Sequence, residues 1–113
     1  FNQSLADWDV SSVTNMAFTF YKASSFDQPL GNWDVSSATT MRFMFGEAAV
    51  FDQAIGNWDV SSVRDMRQVF KGASSFNQVL ADWEGSNNPD IEDIFVGSGC
   101  PFSADLSRPS CGF

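Results

Sequence analysis

The chain has 113 residues, of which 43% are hydrophobic and 15% aromatic, and its formal net charge is −8 at pH 7. This composition is too apolar for a disordered segment, and the length is sufficient for one folded domain. The acidic balance argues against binding to nucleic acid or to anionic membranes, and no apolar run approaches the ~18 residues that a membrane span requires. Histidine is absent, which removes the commonest general base and transition-metal ligand.

A segment of 25 residues occurs four times along the chain without insertion or deletion. The copies begin at Phe1, Phe26, Phe51 and Phe76, and each opens with the pattern F-N/D-Q-x-L/I-x-N/D-W. A fixed period of this length is typical of stacked repeats, in which each copy contacts its neighbours. We therefore expect columns of equivalent side chains to form the core. Because the chain starts without Met in the first position of a repeat, we also expect it to be processed or incomplete.

Each copy carries two hydrophobic patterns. Leu30, Trp33 and Val35 follow the L-x-x-L-x-L pattern of leucine-rich repeats, and the alternation at the last two predicts a short strand. Apolar residues then recur at helical spacing, as at Met41 and Phe45, which predicts a helix of about ten residues after a Ser-Ser cap. The predicted fold is an α/β repeat solenoid of leucine-rich-repeat-like coils, each with one short parallel β-strand and one short helix.

Two polar or aromatic columns admit more than one interpretation. The Trp column is either part of the core or a partly exposed platform for a sugar. The Gln that follows each opening F-N/D pair is expected to be a buried amide that bonds to the backbone of the adjacent coil. The Trp column consists of Trp8, Trp33, Trp58 and Trp83, and the Gln column of Gln3, Gln28, Gln53 and Gln78.

The last quarter of the chain departs from the repeat. Residues 1–81 hold three full repeats and the start of a fourth, and residues 82–113 are expected to be a degenerate fourth repeat with a cysteine-containing C-terminal cap. Cys100 and Cys111 are too few for a zinc site without His. A disulfide between them would suit an oxidising compartment, and the alternative is two free thiols in a cytosolic protein.

Acidic and amide side chains alternate with the buried residues of the predicted strand. These carboxylates either accept bonds from neighbouring backbone or Ser groups, or form an acidic surface for a basic partner, or hold Ca²⁺. The calcium interpretation is the weakest, because the Gly-rich nonapeptide pattern of calcium-binding rolls is absent. The candidate protein-binding residues are Asp7, Asp9, Asn32, Asp34, Asn57, Asp59, Asp82 and Glu84.

Two longer motifs point to a known family. W-D-V-S-S-V-x-x-M, as at Trp58 to Met66, and F-x-x-A-x-x-F-N/D-Q, as at Phe20 to Gln28, make residues 1–95 resemble the BspA-type leucine-rich repeat surface proteins. The resemblance implies right-handed coils, a location at or outside the cell surface, and a role in adhesion or protein binding. It supplies no catalytic residues and does not extend to the cysteine-bearing tail.

We therefore expect a non-catalytic protein-binding or adhesion module that uses the acidic strand face. The chain offers no nucleophile with a base and no G-x-S-x-G motif, and its paired acids recur without marking one site, so an enzyme is not expected. No cofactor is expected. The alternatives are a structural subunit of a larger assembly and a carbohydrate-binding module that uses the Trp column. The expected location is extracellular or at the cell surface, or otherwise the lumen of an oxidising organelle.

Overall fold

The computed structural model describes residues 1–83, 88–100 and 111. Within these ranges the regular elements are a 3-10 helix at Ala81–Trp83 and isolated parallel β-bridges that join Asn15, Thr40, Asp65 and Asp90 in sequence. The predicted solenoid of strand–helix coils is therefore wrong. The molecule measures 40 × 31 × 19 Å along its principal axes and consists mostly of turns held by hydrogen bonds between repeats.

The segment predicted as a helix is a series of tight turns, which we call the turn ribbon. It covers residues 16–23 and the equivalent residues 41–48, 66–73 and 91–98. Its N–H groups alternate in direction: Phe18 donates to the Arg42 carbonyl of the next repeat at 2.9 Å, whereas Tyr21 donates back to Phe18 at 3.2 Å. In an α-helix every such N–H would donate four residues back within its own segment. The ribbon thus links the repeats in a way that a helix cannot.

The backbone of the turn ribbon also enters the left-handed region twice per repeat. Phe18 and Lys22 have φ values of 62° and 60°, and the equivalent residues of the later repeats are likewise positive. A right-handed helix cannot continue through such residues. The residues concerned are Phe18, Lys22, Phe43, Glu47, Gln68, Gly72, Asp93 and Gly97.

The segment predicted as a strand is a turn as well. The N–H of Trp33 donates to the carbonyl of Leu30 at 3.0 Å, and Trp58 repeats this bond to Ile55 at 3.1 Å. The repeats are joined here by a side chain, because the indole Nε1 of Trp58 donates to the carbonyl of Leu30 in the preceding repeat at 2.9 Å. The alternating pattern therefore identified the inward residues of the second and third repeats correctly but not their backbone conformation.

The core consists of the expected columns, although the elements that carry them differ from the prediction. Stacked rings run through it, with centroids 4.2 Å apart between Phe45 and Phe51 and 5.7 Å apart between Phe45 and Phe70. Met44 and Val69 are also fully buried, which the sequence analysis did not predict. Predicted core residues that are buried include Leu5, Leu30, Ile55, Val10, Val35, Val60, Met16, Met41, Met66, Phe20, Phe45 and Phe70.

A disulfide joins Cys100 and Cys111, as one of the two alternatives predicted. Both cysteines are buried, and the carbonyl of Cys111 accepts the N–H of Leu80 at 3.1 Å. The disulfide thus fastens the end of the chain to the fourth repeat. The other residues of the predicted cap after Cys100 lie outside the described residues.

Candidate functional site

Three aspartates, Asp9, Asp34 and Asp59, form what we call the acidic row. They occupy the same position in consecutive repeats, and all three are exposed. Each accepts two bonds from the Ser two residues later. In Asp59 the Oδ1 atom accepts the Ser61 N–H at 3.0 Å and the Ser61 hydroxyl at 2.6 Å. This arrangement is an Asx turn, which explains the recurring D-V-S sequence and agrees with the structural interpretation of these carboxylates.

The same bonds favour the ionised form of the three carboxyl groups by lowering their pKa. The Ser36 hydroxyl, followed by the Ser36 backbone N–H, holds the pKa of Asp34 below its ordinary value, against smaller opposing effects of desolvation and of the charges on Asp59 and Asp9. Both serine bonds end on Oδ1, and none of the described residues donates to the Oδ2 atoms. The row therefore presents three negative charges to solvent without an ion pair to a described residue.

The other predicted binding residues lie beside the acidic row or outside the described part of the chain. Asp7, Asn32, Asn57 and Asp82 are exposed, and Asn57 donates its amide to the Gly31 carbonyl of the preceding repeat at 3.0 Å. Glu84 lies outside the described residues. Seven of the eight candidates are thus surface residues, and their role in protein binding stays a prediction.

A second polar column connects the repeats, and it contains the predicted Gln residues together with the Asn or Asp that precedes each of them. Asp27 Oδ1 accepts the backbone N–H of Asp52 at 3.0 Å and the amide of Gln53 at 2.9 Å. Gln53 also reaches the Asp27 carbonyl at 3.2 Å, so the predicted amide-to-backbone bond is present. These Gln side chains are not buried, however, because they lie at the rim of the stack. The F-N/D-Q opening of each repeat is the sequence signal for this structural column.

The Trp column belongs mainly to the core. Trp33, Trp58 and Trp83 are at most 5% exposed, and their indole N–H groups are bonded to carbonyls of the preceding repeat. Trp8 is different, because 62% of its surface is exposed. The column therefore does not form a sugar-binding strip along the molecule.

The basic side chains of the described repeats lie on the turn ribbon or next to it. Arg67 forms an ion pair with Asp65 at 2.8 Å and approaches Asp90 at 3.7 Å. Lys22 and Arg42 lie over the rings of Tyr21 and Phe43, 5.3 and 5.9 Å from the ring centroids. The charges of Arg67, Lys22 and Arg42 thus have local partners, whereas the acidic row forms no ion pair with a described residue.

Two further properties of the described residues concern partners. They contain no group of three or more acidic or cysteine side chains placed to hold a metal ion, so the calcium interpretation gains no support. They also contain no helix long and apolar enough to cross a membrane.

Comparison with known proteins identifies the family. A family model described as "Mycoplasma protein of unknown function, DUF285" matches residues 1–108. No match was found among curated proteins or among solved structures. The resemblance to BspA-type proteins stays a prediction. Since the match extends over nearly all of the 113 residues, the chain belongs to the DUF285 family.

Proposed function

We propose that this chain is a non-catalytic protein-binding module that recognises a basic partner through the acidic row and its polar flanks. The observation that carries the proposal is the set of three exposed, ionised carboxylates in consecutive repeats, none paired with a described basic residue. A regular row of unpaired charge both attracts an oppositely charged surface and orients it on approach.

We also propose that the protein is located outside the cytosol. The buried disulfide is consistent with an oxidising environment, since such bonds persist where thiols are not kept reduced. We place the protein at the cell surface or outside the cell, where an adhesion or recognition role would be exercised.

The proposal is tested by affinity capture from the native source with matched charge variants. The test variant carries Asp9→Asn, Asp34→Asn and Asp59→Asn, which keep an oxygen acceptor for each turn. Its control carries Asp90→Asn, Glu92→Gln and Asp93→Asn, three exposed acids outside the acidic row. Both change the formal net charge from −8 to −5, because three negative charges are removed (−8 + 3).

We expect a discrete basic protein to bind the wild type and the control at low salt, to bind the test variant much more weakly, and to be released as salt rises. Equal binding to both variants would show that the acidic row is not the recognition surface. If the test variant binds more weakly, direct titration with the purified partner measures the difference in affinity between the two variants.

A structural role in a larger assembly is the second candidate, and exposed apolar residues favour it. Phe1 and Trp8 are 67% and 62% exposed, and Val13, which lines a groove together with Trp8, is 39% exposed. Exposed apolar patches are common at permanent contacts. A partner that remains bound at high salt, in fixed proportion, and that is released by Trp8→Ser would support this candidate instead.

A further inference from the structure

The repeats differ most clearly on the outer side of the turn ribbon, at the first left-handed position. Phe18 and Phe43 occupy this position in the first two repeats, and Gln68 and Asp93 occupy it in the last two. Their φ values of 62°, 55°, 61° and 56° show that the backbone is the same in all four. The fold therefore does not require an aromatic residue here. A left-handed backbone conformation is also unfavourable for an aromatic residue. In addition, 48% of the surface of Phe18 is exposed, so this residue contributes little to the core.

These two rings form an ordered cluster with Tyr21. Phe18 and Phe43 are stacked with centroids 5.2 Å apart, and Tyr21 meets each of them at a steep angle with centroids 5.4 Å away. The Tyr21 hydroxyl donates to Glu47 Oε2 at 3.0 Å. Gly46 lies beneath, where a Cβ atom would be only 2.7 Å from the Phe43 ring. Close packing and the hydrogen bond thus hold these three rings in place. We call Phe18, Tyr21 and Phe43 the aromatic wall.

The wall borders a groove of about 400 Å³ that crosses the turn ribbons of several repeats. Of the aromatic residues, Tyr21 and Phe43 line it together with Glu47, Lys71 and Val96, and Gly72 and Gly97 leave part of its surface as bare backbone. None of the described residues forms an ion pair with Glu47 or Lys71 within 4 Å. The groove thus offers one hydrogen-bond acceptor and one donor, both charged, beside flat aromatic surface.

This combination selects the chemistry of a ligand. A cation would be repelled by Lys71, and by Lys22 and Arg42, whose charged groups are 5.3 and 5.9 Å from the ring centroids of Tyr21 and Phe43. An anion would be repelled by Glu47 and by the net charge of −8. A purely apolar ligand would desolvate two charges without compensation. A neutral ring with C–H groups on its face and hydroxyls at its edge can pack on the aromatic side chains and hydrogen-bond to both charged groups.

We propose that the groove bounded by Tyr21, Phe43, Glu47 and Lys71 binds a pyranose unit of a neutral carbohydrate. The sugar face packs on Tyr21 and Phe43, a hydroxyl donates to the Glu47 carboxylate, and another accepts from the Lys71 ammonium. This site is separate from the acidic row and from the Trp column, and it adds a second kind of ligand to the proposed protein-binding function.

The chain supplies its own replacement residues for the test. The double variant Phe18→Gln/Phe43→Gln installs the residue that the third repeat carries on the same backbone at Gln68, so the fold should be retained. Trp8→Ser is the matched control, because it removes an exposed aromatic residue outside the groove. Thermal unfolding establishes that each variant is folded.

The probes are soluble neutral oligosaccharides, namely cellohexaose, N-acetylchitohexaose, mannohexaose and laminarihexaose, titrated by calorimetry and by NMR. We expect at least one to bind the wild type and the Trp8→Ser protein equally, and to bind the folded double variant about tenfold or more weakly. Glu47→Gln should also weaken the binding of this oligosaccharide. The proposal is overturned if none of the four binds, if the folded double variant binds as well as the wild type, or if only Trp8→Ser abolishes binding.

Discussion

A single carboxylate can serve both the fold and the surface, as Asp59 shows. Its Oδ1 accepts both bonds from Ser61, while no described residue donates to its Oδ2. The structural and recognition interpretations, which the sequence presents as alternatives, are therefore compatible in geometry. The turn fixes the direction of the carboxylate, and the remaining oxygen stays accessible.

The serine bond predicts a pH-dependent stability. The Ser61 hydroxyl, and then its backbone N–H, lower the pKa of Asp59 from its ordinary value of 3.8. Because the folded pKa is the lower one, these bonds stabilise the fold above about pH 4, and their contribution is lost as the pH falls through the folded pKa. We expect Ser61→Ala to raise the pKa of Asp59, measured by NMR, and to be destabilising only above that range in urea denaturation.

Ser62→Ala is the control for this experiment, since Ser62 is exposed and lies next to Ser61 in the same turn. An equal effect of the two substitutions, or an Asp59 pKa that does not move in Ser61→Ala, would show that the hydroxyl bond does not form in solution.

The indole bonds of the Trp column predict an unequal response at equivalent positions. Trp58→Phe leaves the buried Leu30 carbonyl without its donor and removes ring volume, so we expect a loss of about 1–3 kcal/mol in unfolding free energy. Trp8→Phe, at a position that is 62% exposed, should cost little. Urea denaturation of both variants measures the difference, and similar losses would contradict the assigned burial.

At the scale of the element, the turn ribbon explains which sequence-based predictions succeeded. Met41 and Phe45 have helical spacing and are buried as predicted, because the ribbon also turns these positions inward. Sequence spacing reports which side chains face the core. It does not report that Phe43 and Glu47 have positive φ, since neither residue type favours that region. Nor does it show that alternate N–H groups bond to the next repeat, which only stacking makes favourable.

The left-handed positions predict a stabilising substitution. Gln68 has φ 61°, and the strain of this conformation is absent in glycine. We expect Gln68→Gly to leave the unfolding free energy unchanged or to raise it by up to about 1 kcal/mol. The unfolding free energy of the Gln68→Val protein should be about 1–2 kcal/mol lower than that of the Gln68→Gly protein. The same pair of substitutions at Arg64, an exposed residue outside the positive-φ set, should lack this order. Denaturation midpoints decide between the two patterns.

The disulfide predicts sensitivity of the fourth repeat to reduction. Removing it frees the end of the chain that bonds to Leu80, so we expect reduction to lower the unfolding free energy by about 2–4 kcal/mol. Cys100→Ser/Cys111→Ser should be equally destabilised and should not respond to reductant. Two titratable thiols in the native protein would contradict the bond.

At the scale of the whole molecule, stability arises between repeats. The aromatic rings stack from repeat to repeat, and the backbone bonds of the turn ribbons join residues 24 positions apart, as from Phe45 to Val69 at 2.9 Å. A residue in the middle of the stack is covered on both sides, whereas its equivalent at the end is not. Position within the stack therefore decides the cost of a substitution as much as residue type does.

Equivalent residues make this argument testable. Met66 is fully buried, whereas Ile91, the equivalent residue of the fourth repeat, is 42% exposed. Met66→Asp buries a charge without a partner and should abolish most of the ~5–15 kcal/mol that stabilises a typical domain. Ile91→Asp should leave a cooperative unfolding transition in circular dichroism. A folded Met66→Asp protein would contradict the assigned core.

The candidate sites differ in how far the sequence predicts them. The acidic row follows from the period alone, because equivalent residues of a repeat lie on the same face. The aromatic groove does not, since Tyr21, Glu47 and Lys71 belong to different repeats and to no common motif. These residues come together only because the turn ribbons of neighbouring repeats lie side by side. Repetition reveals what the repeats share, and the structure is needed to see where they differ.

The inter-repeat bonding has a further consequence for how such a chain can change in length. Asp27 bonds to Asp52 and Gln53, and the equivalent Asp52 bonds to Asn77 and Gln78, so the spacing between partners is conserved along the molecule. Loss of residues 26–50 would bring Asn2 against Asp52 and Gln53 with every partner type preserved. Loss of a single residue would misalign every column. Length can therefore vary by duplication or deletion of whole 25-residue units, which makes the reach of the molecule adjustable without redesigning its core.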